Sequence, residues 1–282
     1  MKISKSDFKE KNNNVFKIVL ISTFILLKFN ITSAQENITT TDYKVFNASG
    51  HIKNMHTWHG SVVHPGAVFA TSLEFTTRNK KFILGIWGGA SFTSTDIFNE
   101  INATYVNANY KEVSLYASYH FNDILFIEAV SHNNYTAVEE RGDVLHYWSY
   151  DKKQGYNFVD IGFGYAVTPK VELYLATIIG GGSGDYEIQS DGLLKDSWTH
   201  YFEIKSKVWQ STNSNLTLFT GGAWSFITDK TFYTEDGANL INVGATFCKD
   251  IHIGSYKLPV EVTAMWNPEK EKTILQLDLA LF

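Results

Sequence analysis

The stretch GAVFATSLEFTTRNKKFILGIWGGASF, residues 66–92, carries the clearest signal for the fold. It contains two runs in which apolar residues alternate with small or polar ones, joined by the polar turn Arg78-Asn79-Lys80-Lys81. Because successive side chains on a strand point to opposite faces, each run predicts a strand with one apolar and one mixed face. The stretch therefore predicts an antiparallel β-hairpin.

Similar alternating runs recur to the last residue of the chain. Each is about ten residues long, the length that a tilted strand needs to cross a bilayer. The pattern predicts about twelve strands, with roughly ten or fourteen as the neighbouring alternatives. Besides the two strands of 66–92, they cover residues 51–62, 112–121, 124–132, 156–167, 171–179, 198–208, 216–226, 239–248, 257–266 and 272–282.

The connections between these runs favour a transmembrane barrel. Those after residues 77, 121, 167, 208 and 248 are short, whereas most of the others are longer, including an Asn-rich loop at 93–110. Outer-membrane barrels have short periplasmic turns and longer external loops. A soluble β-sandwich is the alternative, but here the second faces carry Gly, Ser, Tyr and about one acid per strand instead of a charge-rich surface. We therefore predict an all-β fold, a single antiparallel up-and-down transmembrane β-barrel of about twelve strands.

The N-terminus predicts export. Several lysines precede the apolar run of residues 18–27, and small residues follow at Thr32-Ser33-Ala34. This three-part pattern is typical of a secretory signal peptide, here residues 1–35. A transmembrane anchor is the alternative, but the run is about half of the ~20 residues that a spanning helix needs. Residues 36–50 then form a polar N-terminal tail, and residues 51–282 form the barrel.

Composition excludes several classes of function. The formal net charge is −5, and no basic patch predicts a nucleic-acid partner. Cys248 is the only cysteine, so no internal disulfide can form. No sequence motif predicts a cofactor.

Two short stretches carry a resemblance. GIWGGASF (85–92) and EVSLYASYHFND (112–123) resemble a family of small bacterial outer-membrane porins, of the TorF-like type. The Ala-Gln ending of the signal peptide and the Asn-rich loops resemble those of Bacteroidetes-type bacteria. The resemblance implies a porin-like protein in the outer membrane of a Gram-negative bacterium, with lipid and lipopolysaccharide around it. It also implies recognition of the C-terminal strand by the barrel-assembly machinery, although the leucines before Phe282 alternate out of phase with that aromatic residue.

Alternation predicts which side chains face the lumen and which face lipid. The predicted lumen-lining residues are Glu74, Glu112, His120, Glu128, Asp160, Glu172, Glu203, Lys205, Lys207, Glu261 and Asp278. The predicted lipid-facing residues are Phe69, Leu73, Leu84, Ile86, Val113, Leu115, Ile161, Phe163, Val243, Val262, Leu277 and Leu279. An acid-rich lumen favours cations. The alternative is a narrow or plugged lumen in which these acids form structural networks.

Other candidate sites are weaker. The histidines between residues 51 and 64 invite a metal site, but His56 and His59 have opposite parity on a strand. The acidic loops 182–192 and 234–237 lack the spacing of a calcium loop. We therefore predict no metal site.

No catalytic motif stands out. Ser183 lacks the second glycine of a nucleophile elbow, and Cys248 is predicted to be a lumenal filler. Tryptophans near strand ends predict an interfacial girdle. They are Trp58, Trp198, Trp209 and Trp266.

Three hypotheses for function follow. The first is a channel for passive diffusion of small polar solutes, with cations as candidates. The second is a non-conducting structural or adhesion barrel whose external loops bind a partner. The third is a barrel-embedded lipid-modifying enzyme, which the missing motif disfavours, so the chain is not predicted to be an enzyme.

Overall fold

The computed structural model describes residues 43–99, 104–137, 148–152, 155, 157–182 and 184–282. Twelve antiparallel strands form one closed barrel, which confirms the predicted all-β fold and strand count. The predicted signal peptide lies outside the described residues. Within the described part of the chain, no helix has the length and apolarity needed to cross a membrane.

The barrel strands follow one another around the wall in chain order. They are β1 (Phe46–Lys53), β4 (Val68–Thr76), β5 (Phe82–Asn99), β6 (Thr104–Asn122), β7 (Leu125–His132), β8 (Phe158–Thr168), β9 (Val171–Gly181), β12 (His200–Gln210), β13 (Ser214–Trp224), β14 (Asn239–Ile253), β15 (Tyr256–Asn267) and β16 (Lys272–Ala280). Two short hairpins lie outside this sheet. They are β2 (His56–Trp58) with β3 (Ser61–His64), and β10 (Tyr186–Ile188) with β11 (Leu194–Asp196).

Pairing of the first and last strands closes the barrel. The register includes His51 opposite Ala280 and Lys53 opposite Asp278. Backbone hydrogen bonds extend this seam, because the Leu281 N–H donates to the Gly50 carbonyl at 2.7 Å. Closure removes the unpaired edges that an open sheet would expose.

The two ends of the barrel differ. At one end, here called the short-turn end, the connections are 77–81, 123–124, 169–170, 211–213 and 254–255. At the opposite end, here called the loop end, they include the long segments 54–67, 133–157, 182–199 and 225–238. This alternation is the one expected for an outer-membrane barrel.

The first strand was predicted wrongly. β1 begins at Phe46, inside the predicted tail, and ends at Lys53. The rest of the predicted strand 51–62 leaves the wall and forms the β2–β3 hairpin. The alternation around Trp58 is real, but a short hairpin inside a barrel produces the same pattern as a strand in its wall.

Two predicted connections were also wrong. Most of the predicted loop 93–110 is strand, because β5 and β6 stay paired from Ser94 opposite Asn109 up to Asn99 opposite Thr104. The predicted turn at 249–255 is strand up to Ile253. Residues 94–99 and 104–109 are mostly polar, and a strand without a regular apolar face resembles a loop in sequence.

Candidate lumenal site

The connection between β1 and β4, residues 54–67, folds into the barrel from the loop end; we call it the plug. Its centre is the β2–β3 hairpin, in which Trp58 pairs with Ser61 around a two-residue turn. The turn residues His59 and Gly60 both have positive φ, +42° and +77°. This is the backbone of a type I′ turn, which matches the twist of the two strands it joins.

The tip of the plug reaches the wall formed by β12, β14 and β15. The ring centroids of His59 and Tyr201 lie 3.8 Å apart. The Asn267 side-chain amide donates to the Gly60 carbonyl at 2.9 Å, and both groups are buried. A Cβ added at Gly60 would lie 2.1 Å from the Ile241 carbonyl oxygen. Only glycine fits at this tip.

Aromatic contacts hold the plug against the remaining wall. The Trp58 ring lies 5.0 Å from His132 and 5.4 Å from Phe158, centroid to centroid. On the opposite side, His56 stacks on Trp87 at 5.1 Å. His64 stacks on Tyr110 at 5.7 Å. The plug therefore crosses the lumen from wall to wall.

A second loop covers the plug. Residues 225–238 carry Phe232 and Tyr233, and Tyr233 is buried 5.5 Å from the Trp58 ring. The Phe232 N–H donates to the Thr199 hydroxyl at 2.7 Å, which ties this loop to the start of β12. Tyr201, Tyr233 and Ile241 belong to one buried cluster, so the apolar core of the molecule lies inside the barrel at the loop end.

Beneath the plug lies a cavity of about 520 Å³. It extends from Trp58 and His59 to the β6–β7 turn at Asp123 and Ile124, at the short-turn end. Six of the predicted lumen-lining residues border it. They are His120, Glu128, Asp160, Glu172, Glu203 and Lys205.

Glu203 is the best-bonded carboxylate in this cavity. Its Oε2 accepts hydrogen bonds from the Tyr201 hydroxyl at 2.7 Å and from the Asn242 amide at 2.8 Å. The Lys205 ammonium lies 2.8 Å from Oε1. These donors offset the cost of burying the charge.

Asp160 and Glu112 share a histidine. The His132 ring places Nε2 at 3.3 Å from Asp160 Oδ2 and Nδ1 at 4.0 Å from Glu112 Oε1. Glu112 also accepts from the Tyr110 hydroxyl at 2.7 Å and the Ser114 hydroxyl at 2.9 Å.

The remaining predicted lumen-lining residues lie away from the cavity, and most of them form separate pairs. Glu74 accepts from the Tyr116 hydroxyl at 2.6 Å. Asp278 lies 2.9 Å from both His51 and Lys53, across the β1–β16 seam. Glu261 accepts from the Cys248 thiol at 3.4 Å. Lys207 follows Lys205 on the same face of β12 and is partly exposed.

The predicted lipid-facing residues occupy the opposite parity in each strand. Leu73 and Leu84 are about half exposed, at 50% and 51%, and Phe163 is 47% exposed. Five further positions are partly buried between neighbouring side chains; they are Phe69, Val113, Ile161, Val262 and Leu279. The other four are exposed, namely Ile86, Leu115, Val243 and Leu277.

One predicted girdle residue lies elsewhere. Trp58 sits inside the barrel among the rings of the plug site. Trp198, Trp209 and Trp266 are exposed near strand ends. The plug was not predicted from the sequence; the signal that marks it is Gly60, an isolated glycine inside a strand-like run.

Burial favours the neutral form of two plug histidines. It lowers the pKa of both His56 and His59 to about 3. Among the described residues, no group of three or more His, Cys, Asp and Glu is placed to hold a metal ion. Ser183 lies outside the described residues.

No family model matches the sequence, and no curated protein matches it. A comparison with solved structures returned weak matches. The "NanC porin" shares 6% identity and a TM-score of 0.42, covering 83% of this chain and 98% of its own. The "CymD monoaromatic hydrocarbon channel" shares 11% identity and a TM-score of 0.40, covering 83% and 86%. "LpxR from Salmonella typhimurium" shares 7% identity and a TM-score of 0.38, covering 83% of this chain and 99% of its own. These values assign no family, so the TorF-like and Bacteroidetes-type resemblance stays a prediction.

Proposed function

We propose that the chain is a porin-like channel of the outer membrane, for passive diffusion of small polar solutes with a preference for cations. The observation that carries this proposal is an acid-lined cavity inside a closed barrel, with one chain segment, the plug, across its loop end. The barrel wall supports it, because apolar side chains such as Leu73 and Leu84 are exposed on the outside. An apolar outer band and a polar interior are typical of outer-membrane barrels.

Charge gives the channel its preference. Among the described residues, five carboxylates and one lysine border the cavity, and they give it a formal charge of −4 with the histidines counted as neutral. A cavity lined by one sign of charge between low-dielectric walls concentrates counter-ions. Cations should therefore carry most of the current.

The plug sets the resting state. The plug lies between Lys53 and Val68, which pair directly with each other in the wall. The closure of the barrel therefore does not depend on the plug. We infer that solutes pass when the plug moves, and that the resting conductance is small. The wall-to-wall aromatic contacts of the plug also favour the second hypothesis, a non-conducting barrel.

Planar-bilayer recording separates these two functions. The full chain is reconstituted, and single-channel current and reversal potential are measured across a KCl gradient. The channel proposal expects discrete openings and a reversal potential shifted towards the potassium equilibrium potential. Anion preference, or a barrel that never conducts at any voltage or pH, would overturn it.

A further inference from the structure

We propose that the cavity beneath the plug is a binding site for a small primary amine in its ammonium form. The inference deepens the proposed function and rests on it, because it names the class of solute that the lumen holds. Its evidence is the shape, charge and hydrogen bonding of the cavity.

The cavity has the size of a ligand site. Its volume of about 520 Å³ lies within the roughly 300–1,000 Å³ that small-molecule pockets occupy. Trp58 and His59 of the plug form its roof, and the wall strands β6 to β9 and β12 form its sides. A ligand entering from the short-turn end would stop beneath the plug.

The electrostatic balance of the cavity selects a cation. Lys205, the only lysine among the described residues that border it, is already engaged by Glu203 at 2.8 Å. Glu128 accepts a hydrogen bond from the Tyr174 hydroxyl at 2.8 Å and forms no ion pair among the described residues, although His120 and His132 lie near it. The other four carboxylates therefore carry the excess of negative charge, and of these Glu128 and Asp160 are the least exposed.

Asp160 indicates the kind of cation. It borders the cavity and is only 3% exposed. Its Oδ2 has one long contact, 3.3 Å to His132, and its Oδ1 has no hydrogen-bond partner among the described residues. Buried carboxylate oxygens are normally hydrogen-bonded, since burial without a donor is costly. A primary ammonium group carries three N–H donors and a positive charge. It would therefore supply both a hydrogen bond to Asp160 and a charge opposite to that of its carboxylate.

Aromatic side chains suit the rest of such a ligand. Trp58, Tyr174, Phe126 and Tyr165 all border the cavity. Aromatic faces attract cations, and their apolar surface accommodates an alkyl chain. A quaternary ammonium would gain these contacts but has no N–H to donate to Asp160.

The test is binding of n-butylammonium to the full chain in detergent micelles, measured by titration calorimetry at neutral pH. The proposal expects saturable binding that is weaker by roughly tenfold or more in Asp160→Asn, because a charge-assisted hydrogen bond is lost. The matched control is Glu261→Gln, which removes a carboxylate that does not border the cavity and should change the affinity less than about twofold.

The ligand comparison needs no variant. n-Butyltrimethylammonium and 1-butanol should bind the unmodified chain at least about tenfold more weakly than n-butylammonium. Equal binding of the primary and quaternary ions, or an unchanged affinity in folded Asp160→Asn, would overturn the proposal. If Asp160→Asn does not fold, as judged by circular dichroism, Glu128→Gln replaces it and is expected to weaken binding in the same direction.

Conductance separates this inference from the channel proposal. A barrel that conducts cations but binds no n-butylammonium keeps the proposed function and overturns the amine site. Saturable amine binding by a barrel that never conducts keeps the site and overturns the channel.

Discussion

Gly60 is the residue at which the plug tolerates least change. Gly60→Ala would place a Cβ against the Ile241 carbonyl at positive φ, so we expect the plug to be displaced and single-channel conductance to rise. Gly254→Ala is the matched control, since Gly254 also has positive φ, +62°, but open space around it. In Gly254→Ala, the alanine meets no neighbouring atom and only has to adopt a left-handed backbone, which costs about 1–2 kcal/mol. This variant should conduct like the unmodified chain. Equal conductance in both variants would contradict the role of Gly60.

Tyr201 links the plug to the buried polar network. Its hydroxyl donates to Glu203 and accepts from the Asn242 amide at 3.1 Å. Tyr201→Phe leaves the amide and the carboxylate each short of one bond, so we expect a loss of about 1–3 kcal/mol in unfolding free energy. Equilibrium unfolding in urea from lipid vesicles measures it. Tyr119→Phe, on the exposed outer face, should change stability by less than about 0.5 kcal/mol, and an equal loss in both variants would argue against the network.

At the scale of single residues, the sequence predicts the face to which a side chain points better than it predicts the residues that the side chain contacts. Period-two alternation placed Glu128, Asp160 and Glu203 on the face that borders the cavity. It could not place Asp160 beside His132, because that contact depends on the pairing register of β7 and β8. Nor could it predict the unpartnered Oδ1 of Asp160, which depends on packing around the whole lumen.

At the scale of elements, the plug shows where sequence reasoning fails. The run around Trp58 alternates like a wall strand, and an eight-to-ten-residue pattern does not say which sheet a segment joins. The same weakness lengthened the predicted loop 93–110, because polar strands carry no hydrophobic period. By contrast, β7, β9 and β15 agree with their predicted bounds to within two residues.

Acid should loosen the plug. The pKa of His59 is about 3 in the docked plug, lowered first by burial and then by His132 and Lys205, with Glu203 acting in the opposite direction. A displaced plug would titrate near the ordinary value of 6.5, so protons bind the displaced form more strongly. Docking is therefore strongest above pH 6.5 and weakens as the pH falls from 6.5 towards 3.

Channel recording between pH 7.5 and 4.5 measures this effect. Each histidine with a pKa of about 3 should weaken docking by about 2 kcal/mol at pH 5, and His56 contributes like His59. Lys53 lies near His56 and also lowers its pKa, and protonation of His64 or His132 would act in the same direction. His59→Asn removes one titration while suiting the positive φ, and should flatten the pH response. His252→Asn, at an exposed position near the end of β14, is the control. The role of His59 would be contradicted if the pH response of the conductance were unchanged in His59→Asn, or equally flattened in His252→Asn.

At the scale of the whole molecule, fold class and strand number follow from the sequence because a closed barrel repeats one pattern. Each strand alternates, each short turn interrupts it, and an error in one strand leaves the others unaffected. The predicted count of twelve was confirmed even though the first strand was displaced to Phe46–Lys53. The segments that fill the lumen follow no repeating pattern, so their position is seen only in the structure.

Replacing the plug is the sharpest test of whether residues 54–67 close a cation channel at its loop end. Because Lys53 and Val68 are paired neighbours, an Asn-Gly turn can join them and leave the barrel intact. The control replaces residues 189–193 between Ile188 and Leu194, also paired, by the same turn and retains the plug.

The measurement is single-channel conductance and reversal potential across a KCl gradient for these two variants and the unmodified chain. We predict several-fold larger, cation-selective openings when the plug is replaced, and conductance close to that of the unmodified chain in the control. Equal conductance with and without the plug, anion selectivity, or no current in the folded plug-replaced barrel would contradict the account.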